Sequence, residues 1–135
     1  MTEEELLNFS KKYFDLLNSD FKGINLTRIN DFESFHQKQI VDSLLPLEQS
    51  YSFLQSLNET EVVLDIGFGG GFPLLPLAYA LPMVNFLGIE ARKKKVESVK
   101  LLRDSFAINN AQVKHFRLEE ILIDRPTTIV LKAVG

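Results

Sequence analysis

The residues best placed to do chemistry lie in "VVLDIGFGGGFPLLP", Val62 to Pro76: an apolar run holding one acid, then four glycines within five residues, then two prolines. Glycine adopts backbone conformations closed to other residues and carries no side chain. Gly67, Gly69 and Gly71 therefore permit a tight turn behind a strand and let a ligand come close to the backbone. One or two glycines would serve a bare strand-to-helix turn; four indicate a bound group. Pro73 suits a helix start, whose unpaired amides attract electron-rich groups. The spacing narrows the kind of group. A dinucleotide fingerprint GxGxxG needs glycine at position 72, where Phe72 stands, whereas the run from Asp65 fits DxGxGxG, the pattern of S-adenosylmethionine sites, which cradle no pyrophosphate. Glu90 follows about 19 residues beyond Gly71, where an acid can accept hydrogen bonds from both hydroxyls of a ribose.

Such residues need strands to carry them and helices to follow. Val62 to Ile66, Val84 to Ile89, Gln112 to Phe116 and Thr128 to Leu131 are short apolar strand candidates. Pro73 to Leu81 and Ala91 to Ile108 are helical stretches between them. Alternation of this kind predicts right-handed βαβ units and a parallel sheet. The chain before residue 60 has a different character. Thr2 with Glu5 forms a capping box for a helix carrying Leu6, Leu7, Phe9, Tyr13, Phe14, Leu16 and Leu17. Asn30 with Glu33 opens a second helix that Pro46 interrupts, and Leu47 to Leu57 supplies a third helical segment. The expected organisation is a helical cap over residues 1–58 on an α/β core over 59–135, together one structural domain.

Composition agrees with a globular protein: 135 residues, 45% hydrophobic and 24% charged, without cysteine. The acidic start "MTEEELLNFSKKYF" lacks the basic flank and apolar stretch of a signal peptide, and no run approaches a membrane span. A cytoplasmic location is the expectation. Net charge of −3 excludes a wholly basic nucleic-acid binder but leaves room for a local basic face. Arg92, Lys93, Lys94, Lys95, Lys100 and Arg103 form one such group, with Lys11, Lys12, Lys22, Arg28 and Lys38 adding charge from the cap. Groups like these hold phosphates without reading sequence. His36 and His115 form no metal cluster and are read as structural.

Several short motifs occur together in a familiar order: "NLT" (Asn25 to Thr27), "QIVDSL" (Gln39 to Leu44), "LDIGFGGGFPLLPLA" (Leu64 to Ala78), "KKKV" (Lys93 to Val96) and "RLEE" (Arg117 to Glu120). From about residue 20 onward the chain resembles the bacterial small-subunit ribosomal RNA methyltransferase G family, also called glucose-inhibited division protein B. The resemblance implies a Rossmann-like methyltransferase sheet under an N-terminal helical cap. It implies transfer of a methyl group from S-adenosylmethionine to nitrogen 7 of a guanine in 16S ribosomal RNA. It places cofactor contacts at Gly67 and Phe72, at Leu118 and Glu119, and at Lys132; Gly69 and Glu90 join them from the residues' own spacing. Departures are specific. Lys38 and Gln39 stand where the family commonly has Arg-His, Lys132 replaces an arginine and cannot form its bidentate pair, and Glu90 replaces an aspartate with a longer reach. Guanine nitrogen 7 carries a lone pair at neutral pH, so the reaction asks for positioning and exclusion of water, and no catalytic acid or base is nominated.

Two other functions share parts of this pattern. An NAD-dependent oxidoreductase would use the same sheet and ribose acid, against which Phe72 counts. A non-catalytic RNA-binding domain could keep the fold, against which the glycine loop and Glu90 count. The sheet is expected to stop after its fourth strand, as in a truncated form of the family, leaving the edge at Thr128 to Leu131 open to self-association.

Overall fold

The structure is a computed structural model and describes residues 1–21, 23–24, 26–120 and 123–131, with the Leu118 side chain set aside. Helix α1 (Glu3–Asn18) starts where Thr2 caps it: the Thr2 hydroxyl oxygen accepts from the Glu5 amide at 3.0 Å, and three glutamates of the first turn complement the helix dipole. Its inner face carries Phe9, Ser10, Tyr13 and Leu17. The next helix opens one residue later than the Asn30–Glu33 pair suggests. Asp31 is the cap, accepting from the Ser34 amide at 2.9 Å, and that amide holds the Asp31 carboxyl below its ordinary range.

From there α2 (Phe32–Phe35), a π-helical stretch (His36–Val41) and α3 (Asp42–Gln49) form one continuous rod. Pro46 lies inside α3 instead of ending it. The break comes at Ser50, whose extended backbone closes α3 and whose hydroxyl accepts from the Phe53 amide at 3.1 Å to start α4 (Tyr51–Glu59). A capping serine thus sets the boundary that proline was expected to set.

The core is built from β1 (Val62–Ile66), α5 (Leu74–Ala80), β2 (Phe86–Glu90), α6 (Lys93–Ser105), β3 (Ala111–His115), a 3-10 turn (Leu118–Glu120) and β4 (Thr127–Val130). The four strands are parallel in the order β3-β2-β1-β4. Strands two and three step to one side of β1, and the fourth returns to the other. The reversal beside β1 is the topological switch point at which open α/β sheets bind ligands, and the order is that of the first four strands of the doubly wound fold. Val63, Phe86, Ala111 and Val113 face the helices in a core that also contains Phe9, Tyr13, Leu17, Phe35, Leu74, Leu77, Val99 and Leu102. Cap and sheet therefore share one hydrophobic interior. Alternation along the strands turns Val62, Leu64, Leu87, Gln112 and Lys114 to the opposite face. There they line a groove of about 560 Å³ whose other wall includes Glu120 and Ile123.

Candidate cofactor-binding site

At the end of β1 the chain stays paired with β2 for one more step, the Gly67 amide donating to the Ile89 carbonyl at 2.8 Å. It then turns, with φ of +72° at Gly67, +56° at Gly69 and +97° at Gly71. These angles explain the glycines as backbone, but the glycines differ in what surrounds them. Among the described residues, a Cβ at Gly67 or Gly69 would meet no atom within 4 Å. A Cβ at Gly70 would collide with the Leu26 carbonyl, and one at Gly71 with the Tyr13 hydroxyl. The loop thus has an open side, at Gly67 and Gly69, and a packed side turned to the cap. Gly71, expected to admit a ligand, instead admits the cap.

Two carboxylates lie under this loop. Glu90, 8% exposed at the end of β2, accepts from the Gly69 amide at 3.2 Å through Oε1 and from the Arg92 amide at 3.0 Å through Oε2. It ties the glycine turn to the start of α6, and each oxygen keeps a lone pair for a further donor. Asp65, 1% exposed, accepts from the Leu74 amide at 3.0 Å through Oδ2, while its buried Oδ1 has no partner among the described residues. Burial pushes the Asp65 carboxyl up to about 8; the Leu74 amide opposes this and the charge of Glu90 adds to it. Because Asp65 takes the first amide of α5, that amide is not open to a ligand, contrary to the expectation at Pro73. In the sequence Asp65 stands only as the first letter of the DxGxGxG pattern. The signal for more was its parity: two residues after Val63, it had to face the interior.

The remaining candidates are placed unevenly. Phe72 is 6% exposed, its ring 4.9 Å from Tyr13 and 5.8 Å from Phe35, so its side chain belongs to the core. The turn containing Leu118 and Glu119 follows β3 at the same end of the sheet, where the Phe116 amide donates to the Glu90 carbonyl at 3.2 Å. Glu119 is exposed. Lys132 lies outside the described residues, as do Lys22 and Asn25. Arg92, Lys93, Lys94 and Lys100 are exposed on or beside α6, but Arg103 is held by Asp104 at 3.0 Å and by the Ala111 carbonyl at 3.2 Å. Lys12 donates to the Ser105 carbonyl and sits over the Phe106 ring, fastening α1 to α6. His36 Nδ1 is 2.6 Å from the Ser10 hydroxyl, and His115 Nε2 is 2.8 Å from the Ala91 carbonyl. No helix among the described residues is long and apolar enough to cross a membrane.

A parallel α/β sheet with a glycine turn and an interior acid at its switch point defines a Rossmann-like class of fold. The family model described as rRNA small subunit methyltransferase G matches residues 7–135. The chain belongs to that family. It is similar to the ribosomal RNA small subunit methyltransferase G of Streptococcus pneumoniae serotype 19F (strain G54), 35% identical over 117 residues, 85% of this chain and 47% of that one. The protein of the same name from Leuconostoc citreum (strain KM20) is 31% identical over 90% of this chain and 49% of its own length. That from Lysinibacillus sphaericus (strain C3-41) is 31% identical over 89% and 48%. The chain spans about half the length of these curated relatives. A crystal structure of a dimethyladenosine transferase from Plasmodium falciparum overlays with a TM-score of 0.46 at 17% identity, over 60% of this chain and 30% of that one. Strand order and family membership, not this partial overlay, carry the fold assignment.

Proposed function

We propose that this chain provides the S-adenosylmethionine-binding part of a cytoplasmic enzyme that methylates nitrogen 7 of a guanine in 16S ribosomal RNA, with residues 1–58 as a cap on the core that begins at 59. The observation that carries the proposal is the open side of the loop: two glycines at positive φ where, among the described residues, nothing fills the space that side chains would take, next to Glu90. When bound, S-adenosylmethionine supplies an electrophilic methyl group on a sulfonium centre.

This chain's part is to hold and orient. Glu90 accepts from ribose hydroxyls, Gly67 and Gly69 give the backbone close approach, Phe72 contributes main chain while its ring anchors in the core, and the Leu118–Glu119 turn borders the nucleobase. Lys132 supplies a cation after β4. Arg92, Lys93, Lys94 and Lys100 offer phosphate contacts next to the loop. Guanine nitrogen 7 needs no deprotonation, so the acceptor has only to be aligned with the methyl group and shielded from water.

Titration calorimetry with S-adenosylhomocysteine and, separately, NADH tests the reading. Binding of the first and not of the second is expected, and Glu90→Ala should weaken it by about 1.5 to 3 kcal/mol, the loss expected for hydrogen bonds to a charged acceptor. Binding of NADH alone, or of neither, refutes the proposal. Transfer of labelled methyl groups to 16S RNA, with mapping of the modified base, then tests the acceptor.

A further inference from the structure

We infer that Tyr13 of α1 is a positioning residue for the glycine loop, so that the helical cap sets the shape of the cofactor site together with the sheet; this rests on reading Gly67 to Phe72 as the cofactor loop. Tyr13 is fully buried, and its hydroxyl donates to the Gly70 carbonyl at 2.6 Å. Its ring stacks on Phe106 at 5.6 Å and lies 4.9 Å from Phe72. The absence of a side chain at Gly71 makes room for the same hydroxyl, and at Gly70 for the Leu26 carbonyl. Three consecutive loop residues are thus held from the cap side, while Gly67 and Gly69 look out on open space.

A phenylalanine would fill the same aromatic cluster. The hydroxyl adds one interaction, and that interaction is with the loop. Burial, and then the charge of Asp65, raise the Tyr13 phenol well above its ordinary value, so it stays a donor across the working pH range. A buried bond of this kind fixes the Gly70 peptide, and with it the turn that presents Gly67 and Gly69.

The test compares Tyr13→Phe with Ser10→Ala in the full 135-residue chain. Ser10 is buried on the same helix and bonds His36, away from the loop, so its variant reports general loosening of the cap. Hydrogen exchange without ligand reads the Gly71 and Phe72 amides, which donate to the Phe68 carbonyl at 2.9 and 3.2 Å. Tyr13→Phe is expected to speed their exchange several-fold more than elsewhere and to weaken S-adenosylhomocysteine about five- to tenfold, as for loss of one buried hydrogen bond. Ser10→Ala should do neither selectively. Unchanged affinity in folded Tyr13→Phe overturns the inference, as does an equal effect of Ser10→Ala. If the unmodified protein binds no S-adenosylhomocysteine, the proposed function falls, and exchange alone decides: selective loosening of the loop upholds the positioning role, and unchanged exchange overturns it.

Discussion

The loop glycines divide by what a side chain would meet, and the division decides what a substitution on the open side should do. Gly67→Val places its side chain in open space at a cost of roughly 1–2 kcal/mol for the left-handed backbone, so the protein should stay folded and lose ligand. Thermal melting by circular dichroism beside calorimetry checks this; unchanged affinity in a folded variant would remove the site from this loop. Asp65 gives a pH prediction with a definite sign. Its carboxyl titrates near 3.9 when unfolded and at about 8 when folded. The folded state therefore binds the extra proton between those values, and the resulting stability is full below about pH 4, declines as pH rises and is gone above about pH 8. Asp65→Asn removes that titration. Urea unfolding from pH 5 to pH 8 should show the unmodified protein losing stability against the variant, by at most about 1.4 kcal/mol per pH unit. Parallel curves would show that Asp65 stays ionised.

At the scale of elements, one asparagine closes the βαβ unit that carries the loop. The Asn110 side-chain amide donates to the carbonyls of Ala78, Leu81 and Val84 at 3.0, 2.9 and 2.8 Å, joining the end of α5 to the start of β3. Asn110→Ala should cost about 1–2 kcal/mol in chemical denaturation without moving loop amide shifts in NMR spectra; a change below a few tenths would mean solvent replaces the bonds. Neither Asn110 nor Tyr13 could be read in advance, because each acts on carbonyls far along the chain. What was legible was local. Glu61 and Gly67 bracket an apolar run, and β1 begins and ends where they say. β2 starts two residues later than its hydrophobicity suggests, because the Val84 amide closes a turn on the Leu81 carbonyl. Glu90 stood out by spacing, but its hold on two backbone amides did not, since those amides come from different elements. The π-helical stretch has no mark in composition at all.

At the scale of the whole molecule, the helices among the described residues cover one face of the sheet and the groove lies on the other. Among the described residues β4 is paired only with β1, and Ile129 is 48% exposed and Leu131 69%. An apolar margin with unpaired backbone groups is a template for strand addition. Sedimentation of the 135-residue chain should accordingly show reversible, concentration-dependent association that Ile129→Lys suppresses. A monomer throughout the micromolar range would show that the margin is protected.

The bond from Tyr13 to Gly70 also has a history in time. Its partners are separated by 57 residues. During synthesis at about 5–20 residues per second, Tyr13 leaves the ribosome roughly 3–11 s before Gly70 does. Through that interval Phe9, Tyr13 and Leu17 form an apolar stripe that only the rest of the cap, with Phe35 against Tyr13, is there to cover. The helix that later braces the glycine loop is, for those seconds, a partly uncovered apolar surface that a chaperone can hold.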